Sequence, residues 1–191
     1  MHTHNIYPRE KFLNQFIIGF TGRLAEQKNP LFLIDICEEL LKKKEEKFLF
    51  YIIGDGDLRP ILEEKIQSKK LEKYFFLSGW SNQVEKEIHN FDTALMISKW
   101  EGFGLVVCEY MAAKIPVISV MAGGVKNILN PQNSFPIADY SATQFADQII
   151  KIRYGSNQNI QEIIHNAYED VNKKYSIEIM IKNLEHILNK F

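Results

Sequence analysis

Cysteine is scarce: the 191 residues contain two, Cys37 and Cys108. Both fall in apolar segments of helical period, and neither stands beside a histidine at metal-ligand spacing. They read as reduced core thiols, and a disulfide framework or a structural metal site is disfavoured. A charge excess is missing too. Lys and Arg number 23 against 24 Asp and Glu, for a net charge of −1, so no overall basic field draws the chain to nucleic acid or anionic lipid. No apolar run reaches the roughly 18 residues that a helix needs to cross a bilayer. The opening MHTHNIYPREKFLNQF lacks the apolar stretch of a secretory signal. A cytoplasmic protein without a transmembrane segment is expected, at most peripheral at the inner face of a membrane. Repeats, low-complexity tracts and Gly/Ser-rich linkers are also lacking, so residues 16–191 are expected to form one domain. Residues 1–15, polar and carrying Pro8, are expected to be a connector or N-terminal extension.

What is present is an alternation of short β-branched or aromatic runs with longer stretches of helical period. Strands are predicted at 16–22, 48–54, 74–77, 93–97 and 116–120, with a short one near Phe135. Helices are predicted at 30–44, 58–69, 82–90, 105–114 and 125–130, then at 141–153, 161–173 and 177–190. In the first of these Asn29 is the expected N-cap and Pro30 fits the first turn. The pattern is that of an α/β fold, a Rossmann-like doubly wound parallel sheet of about six strands with C-terminal helices. Such sheets bind ligands beyond the carboxyl ends of their strands, where chain turns into helix.

Three strand ends carry the notable residues. After the first comes Gly22-Arg23, with Lys28 close behind. This suits either a diphosphate beside a helix N-terminus or a tight turn with two solvated cations. After the second comes Gly54-Asp55-Gly56-Asp57, a turn whose amides could face a ligand. The G-x-G-x-x-G fingerprint is absent from both, which argues against a nicotinamide cofactor. After the fourth, Ser98-Lys99-Trp100-Glu101-Gly102-Phe103-Gly104-Leu105 leads into a helix that carries Glu109. The glycines let amides face outwards and the helix start favours an anion. Glu109 breaks an apolar run, so it needs hydroxyls such as those of a ribose, amides, or a salt bridge to Lys114, Lys99 or another nearby cation. Ala122-Gly123-Gly124-Val125 adds a further glycine turn at the same sheet edge.

From about Phe16 to Asn130 these residues resemble the retaining glycosyltransferases of the GT-B fold, the large family that includes bacterial enzymes of lipopolysaccharide and capsule synthesis. The carrying motif is Glu101-Gly102-Phe103-Gly104-Leu105 with Glu109. The resemblance implies that Glu101 lies by the donor sugar, that Glu109 binds the nucleotide ribose, and that Arg23 and Lys28 neutralise the donor diphosphate. Amides of Phe103, Gly104 and Leu105 assist, and Gly22, Gly54, Ser98 and Gly102 belong to the same donor site. Trp80 lies where the family holds the base; it either stacks there or is a structural tryptophan. No metal or other cofactor is implied beyond the nucleotide sugar, a UDP- or GDP-sugar. The chain departs from the family at Lys114, Met121 and Asn127, which stand where glycine, aspartate and glutamate are common. The family's acceptor half, an N-terminal domain of comparable size, is not among these residues. A carbohydrate or lipid-linked acceptor would then be held by a missing domain or a separate subunit. The competing expectation is a non-catalytic sugar-nucleotide-binding fragment or regulatory module.

Overall fold

The computed structural model describes residues 12–155 and 157–176, and positions 179, 181 and 185 beyond them. Six parallel strands form one sheet in the order β3-β2-β1-β4-β5-β6. They are β1 (Phe16–Thr21), β2 (Phe48–Ile53), β3 (Phe75–Gly79), β4 (Thr93–Met96), β5 (Val117–Val120) and β6 (Phe135–Ile137). The helices are α1 (Phe32–Lys42), α2 (Arg59–Ser68), α3 (Val84–Glu87), α4 (Leu105–Ala112), α5 (Ala142–Tyr154) and α6 (Asn157–Lys174).

The twofold alternation of strand side chains divides the core in two. Ile18, Phe20, Phe50, Ile52 and Leu95 face a cluster completed by α1, α2 and α5. Ile17, Leu49, Tyr51, Ile53 and Met96 face the other, completed by α4, Phe91 and Val125. Because both faces are covered, β2 (FLFYII) is buried at every position. Its continuous apolar sequence is what a central parallel strand requires. α6 serves both clusters, with Ile160 in the first and Ala167 and Val171 in the second. No helix among the described residues is long and apolar enough to cross a membrane.

Several predicted elements differ in detail. The predicted helix 125–130 is a 3₁₀ turn, Gly123–Asn127; five residues opening on two glycines cannot meet the nucleation cost of an α-helix. The predicted helix 82–90 is the single turn of α3 followed by the 3₁₀ turn Ile88–Asn90. Asn29 is not an N-cap: it takes the left-handed conformation (φ 55°) that ends the 3₁₀ turn Glu26–Lys28, and α1 begins later, at Phe32. Predicted helix 177–190 lies outside the continuously described residues, as do positions 1–11 of the expected N-terminal extension.

Gly19 in the middle of β1 marks the tightest packing of the sheet. A Cβ there would lie 1.9 Å from the Phe91 ring, which itself packs against Tyr51 and Tyr110 at centroid distances of 5.6 and 6.1 Å. The ring therefore cannot retreat without disturbing two buried tyrosines. Gly19→Ala is expected to destabilise the fold by about 1–3 kcal/mol through overpacking, read as a lower urea midpoint with an unchanged slope.

Candidate functional site

Strands β1 and β4 are neighbours, paired Ile18 to Thr93, but their chains leave the sheet in opposite directions. α1 covers one face and α4 the other. The loops beyond these two strands diverge and open a crevice, the position at which doubly wound sheets take ligands.

Side chains join the two loops across the crevice. Lys28 Nζ pairs with Glu101 Oε1, the two side chains being 19% and 7% exposed. Ser98 Oγ donates to the same Glu101 oxygen at 2.7 Å. Gln27 adds two more links: its Nε2 donates to Trp100 O at 3.1 Å and its carbonyl accepts from Lys99 N at 2.8 Å. Lys99 also reaches Glu26 at 3.0 Å. The Tyr140 hydroxyl donates to Ser98 O at 2.7 Å, so the segment before α5 braces the same loop. In a partly buried pair the additional hydrogen bond to the carboxylate offsets part of its lost contact with water.

The start of α4 forms the opposite wall. Gly104 (φ 84°) is its cap in the left-handed region, where glycine meets no steric penalty. The amides of Leu105 and Val106 lie too early in the helix to have intrahelical acceptors, and no other acceptor takes them among the described residues. The Gly123-Gly124 turn supports this loop from behind. Gly124 N donates to Glu101 O at 3.0 Å, and a Cβ on Gly124 would lie 1.6 Å from Gly102 O. These two glycines serve close backbone contact, not a separate ligand loop.

Glu109 follows Leu105 by four residues and so shares its helix face. With Thr21, Gly22, Lys28, Val84, Glu101, Phe103, Gly104 and Leu105 it lines a cavity of about 440 Å³. No salt bridge reaches Glu109 among the described residues. Lys114 sits over the Tyr168 ring at 4.5 Å, and Lys99 is held by Glu26. Partial burial first, then the nearby Glu85 carboxylate, push the Glu109 carboxyl above its usual range.

A second cavity, also about 440 Å³, adjoins the first through Thr21, Gly22 and Val84 and continues past β2 and β3 to Arg23, Gly54, Asp55, Trp80 and Ser81. Together they form one cleft along the carboxyl ends of β1 to β4. Trp80 is 62% exposed on its wall, which rules out a core role. Among the described residues Arg23 reaches only Asp57, at 3.1 Å across open surface, an exposed pair of little worth that a ligand could displace.

Of the residues expected at the site, Gly22, Arg23, Lys28, Gly54, Trp80, Glu101, Phe103, Gly104, Leu105 and Glu109 all line this cleft. Ser98 does not; it is buried and braces Glu101 from behind. Gly102 stands exposed in the loop, outside the cavity lining. The two glycine amides of the Gly54 loop are not free for a ligand. Gly54 N donates to Gly79 O at 2.7 Å and Gly56 N to Asp55 Oδ1 at 2.7 Å. Thr21 and Val84 were not anticipated. Thr21 had a signal in its place at the end of β1; Val84, in a one-turn helix, had none.

Comparison with known proteins agrees with this geometry. The family described as glycosyl transferases group 1 matches residues 5–170. A poly(ribitol-phosphate) alpha-N-acetylglucosaminyltransferase of Staphylococcus aureus is 27% identical over 180 residues, covering 93% of the chain and 36% of the relative. A crystal structure of an S. aureus TarM mutant with fondaparinux, alpha-GlcNAc-glycerol and UDP superposes with a TM-score of 0.81 at 27% identity, over 92% of the chain and 36% of TarM. The C-terminal domain of a group 1 family protein, LpcC, from Francisella tularensis superposes with a TM-score of 0.72 at 26% identity, over 88% of the chain and 91% of that domain. The chain spans 36–44% of the length of three curated relatives.

The Glu109 shift has a consequence for stability. Its carboxyl binds a proton more tightly in the folded state, so the group favours folding at acid pH and opposes it as pH rises above the ordinary glutamate range. Glu109→Gln is expected to leave the thermal midpoint unchanged or raise it at pH 7, with the difference from the parent closing at about pH 4. Thermal scans at the two pH values check this.

Proposed function

The chain belongs to the glycosyl transferases group 1, and from that premise we propose that it is the donor-binding domain of a retaining hexosyltransferase. It would take a sugar from a nucleoside diphosphate and deliver it to a carbohydrate or lipid-linked acceptor in polysaccharide, capsule or lipopolysaccharide synthesis. The observation that carries this reading is the shared cavity of Lys28, Glu101, Glu109 and the start of α4. It brings a cation, unpaired amide donors and two carboxylates within the space of one small ligand.

The roles follow from charge. Glu109, exposed to the cleft and without a cation among the described residues, accepts hydrogen bonds from the ribose hydroxyls. The base lies beyond it, against Trp80 and Val84. Of the two bases expected, uridine has the support of the UDP complex of the S. aureus TarM mutant. The diphosphate lies at the start of α4, where helix amides and the dipole favour an anion. Arg23 and Lys28 approach it from the other wall. Each already has a carboxylate partner, Asp57 and Glu101, so donor binding exchanges that partner for phosphate. Glu101, relieved of Lys28 but still bonded to Ser98, then accepts from sugar hydroxyls.

In transfer the bond from the anomeric carbon to the diphosphate oxygen breaks as the bond to the acceptor oxygen forms on the same face, and the acceptor proton passes to the departing phosphate. Negative charge grows on the diphosphate, where preorganised amides and cations stabilise it without reorganisation. The acceptor would be held by a further domain or subunit, in keeping with the share of the relatives that the chain spans.

Calorimetric titration with UDP, GDP, ADP and their sugars tests the reading. One nucleotide, UDP in this account, should bind, and Arg23→Ala and Glu109→Ala should each weaken it about ten-fold, the loss of a charge-assisted hydrogen bond. Binding that neither substitution alters would place the nucleotide elsewhere and overturn the proposal.

A further inference from the structure

The loop that leads into α4 has conformational freedom where the cleft needs a fixed wall. Phe103 stands between two glycines, and neither Gly102 nor Phe103 forms a loop hydrogen bond through its backbone among the described residues. A Cβ on Gly102 would meet nothing within 4 Å, and Gly104 takes the left-handed conformation. Glycine on both sides of a residue leaves the backbone many states besides the native one. The Leu105 and Val106 amides point where this stretch aims them, so Phe103 has to be held through its side chain.

The end of α6 supplies the hold. The Tyr175 ring, one residue beyond the helix, meets the Phe103 ring edge to face, with centroids 5.5 Å apart and planes at 74°. Phe103 has no other ring contact among the described residues. The Tyr175 hydroxyl donates to Asn127 O at 3.2 Å. Asn127 ends the 3₁₀ turn whose Gly124 amide donates to Glu101 O at 3.0 Å. One tyrosine thus ties the loop to the turn behind it. Tyr175 is itself anchored, since its amide donates to Val171 O at 2.9 Å and Val171 is buried beside α4. One turn earlier, Asp170 Oδ2 accepts from Asn133 Nδ2 at 2.8 Å and the Tyr168 ring carries Lys114 at 4.5 Å.

We propose that Tyr175 is a positioning residue for the donor diphosphate: by holding the Phe103 ring it fixes the loop that aims the Leu105 and Val106 amides. Tyr175 is not on the cavity wall, so it acts through Phe103 and not by contact with the donor. The proposal rests on the donor-binding reading and adds a residue to it. A loop fixed before the ligand arrives loses less entropy on binding. That gain falls on the diphosphate, because the nucleoside on this reading meets Glu109 and Trp80, which stand on other segments.

Uridine and UDP separate a positioning role from a merely structural one. Each is titrated into the isotopically labelled chain and followed by the Trp80 indole resonance. Tyr175→Leu should weaken UDP about five-fold, as expected for a lost edge-to-face pair, and leave uridine unchanged. Tyr175→Phe keeps the ring and should bind UDP within about two-fold of the parent, the hydroxyl making only one exposed hydrogen bond. Made from the other side of the contact, Phe103→Leu should cancel the effect, so that adding Tyr175→Leu to it costs UDP nothing more. Unchanged UDP affinity in Tyr175→Leu, an equal loss of uridine, or a Tyr175→Phe variant as weak as Tyr175→Leu would each overturn the proposal and leave the donor reading standing. A parent chain that binds no UDP removes both.

Discussion

Two loops that leave adjacent strands for opposite faces of a sheet have no covalent reason to stay together, and here the Lys28–Glu101 pair holds them. Lys28 comes from the turn after β1 and Glu101 from the loop after β4. Ser98 fixes the carboxylate from behind and Tyr140 fixes Ser98. The breadth of the cleft, the aim of the α4 amides and the position of Glu109 all follow from where this junction sets the two walls. Under the proposed reading, the cation and the carboxylate that hold the two walls together are the groups that a donor would take over.

That economy explains an otherwise odd distribution of charge. The exposed Arg23–Asp57 contact and the enclosed Lys28–Glu101 contact are both cation–carboxylate pairs on the crevice, but solvent screens only the first. Glu109 has no such partner among the described residues, and neighbouring Glu85 adds repulsion. A protein under selection for stability alone would gain from an apolar residue there. The cost of Glu109 is of the kind found where a side chain waits for a ligand.

Much of this was legible in the sequence. The continuous apolar runs of β1 and β2 could belong only to buried strands, and the glycine-bearing segments after β1 and β4 marked the strand ends that meet at the crevice. Glu109 stood out because a carboxylate is rare within such an apolar stretch, and Glu101 through the family resemblance that its motif carries. Less legible were features fixed by contacts distant in the chain. Nothing local to Ser98 tells that it faces inward to Glu101, and nothing near Gly54 tells that its amide is taken by Gly79. Asn29 followed by Pro30 reads as a helix start, yet the 3₁₀ turn that delivers Lys28 to Glu101 uses Asn29 as its left-handed end. The Gly123-Gly124 pair read as a further glycine turn at the same edge of the sheet. Here it is glycine because the Glu101-Gly102 backbone passes too close for any Cβ.

The central claim is that the crevice between β1 and β4 holds a nucleoside diphosphate by exchanging the partner of Lys28. A crystal structure of the chain with UDP tests it most directly. The account predicts phosphate oxygens within hydrogen-bond distance of the Leu105 and Val106 amides and of Lys28 Nζ, with Glu101 separated from Lys28 and still bonded to Ser98. A diphosphate bound elsewhere on the sheet edge, or bound here with the Lys28–Glu101 pair intact, would contradict it.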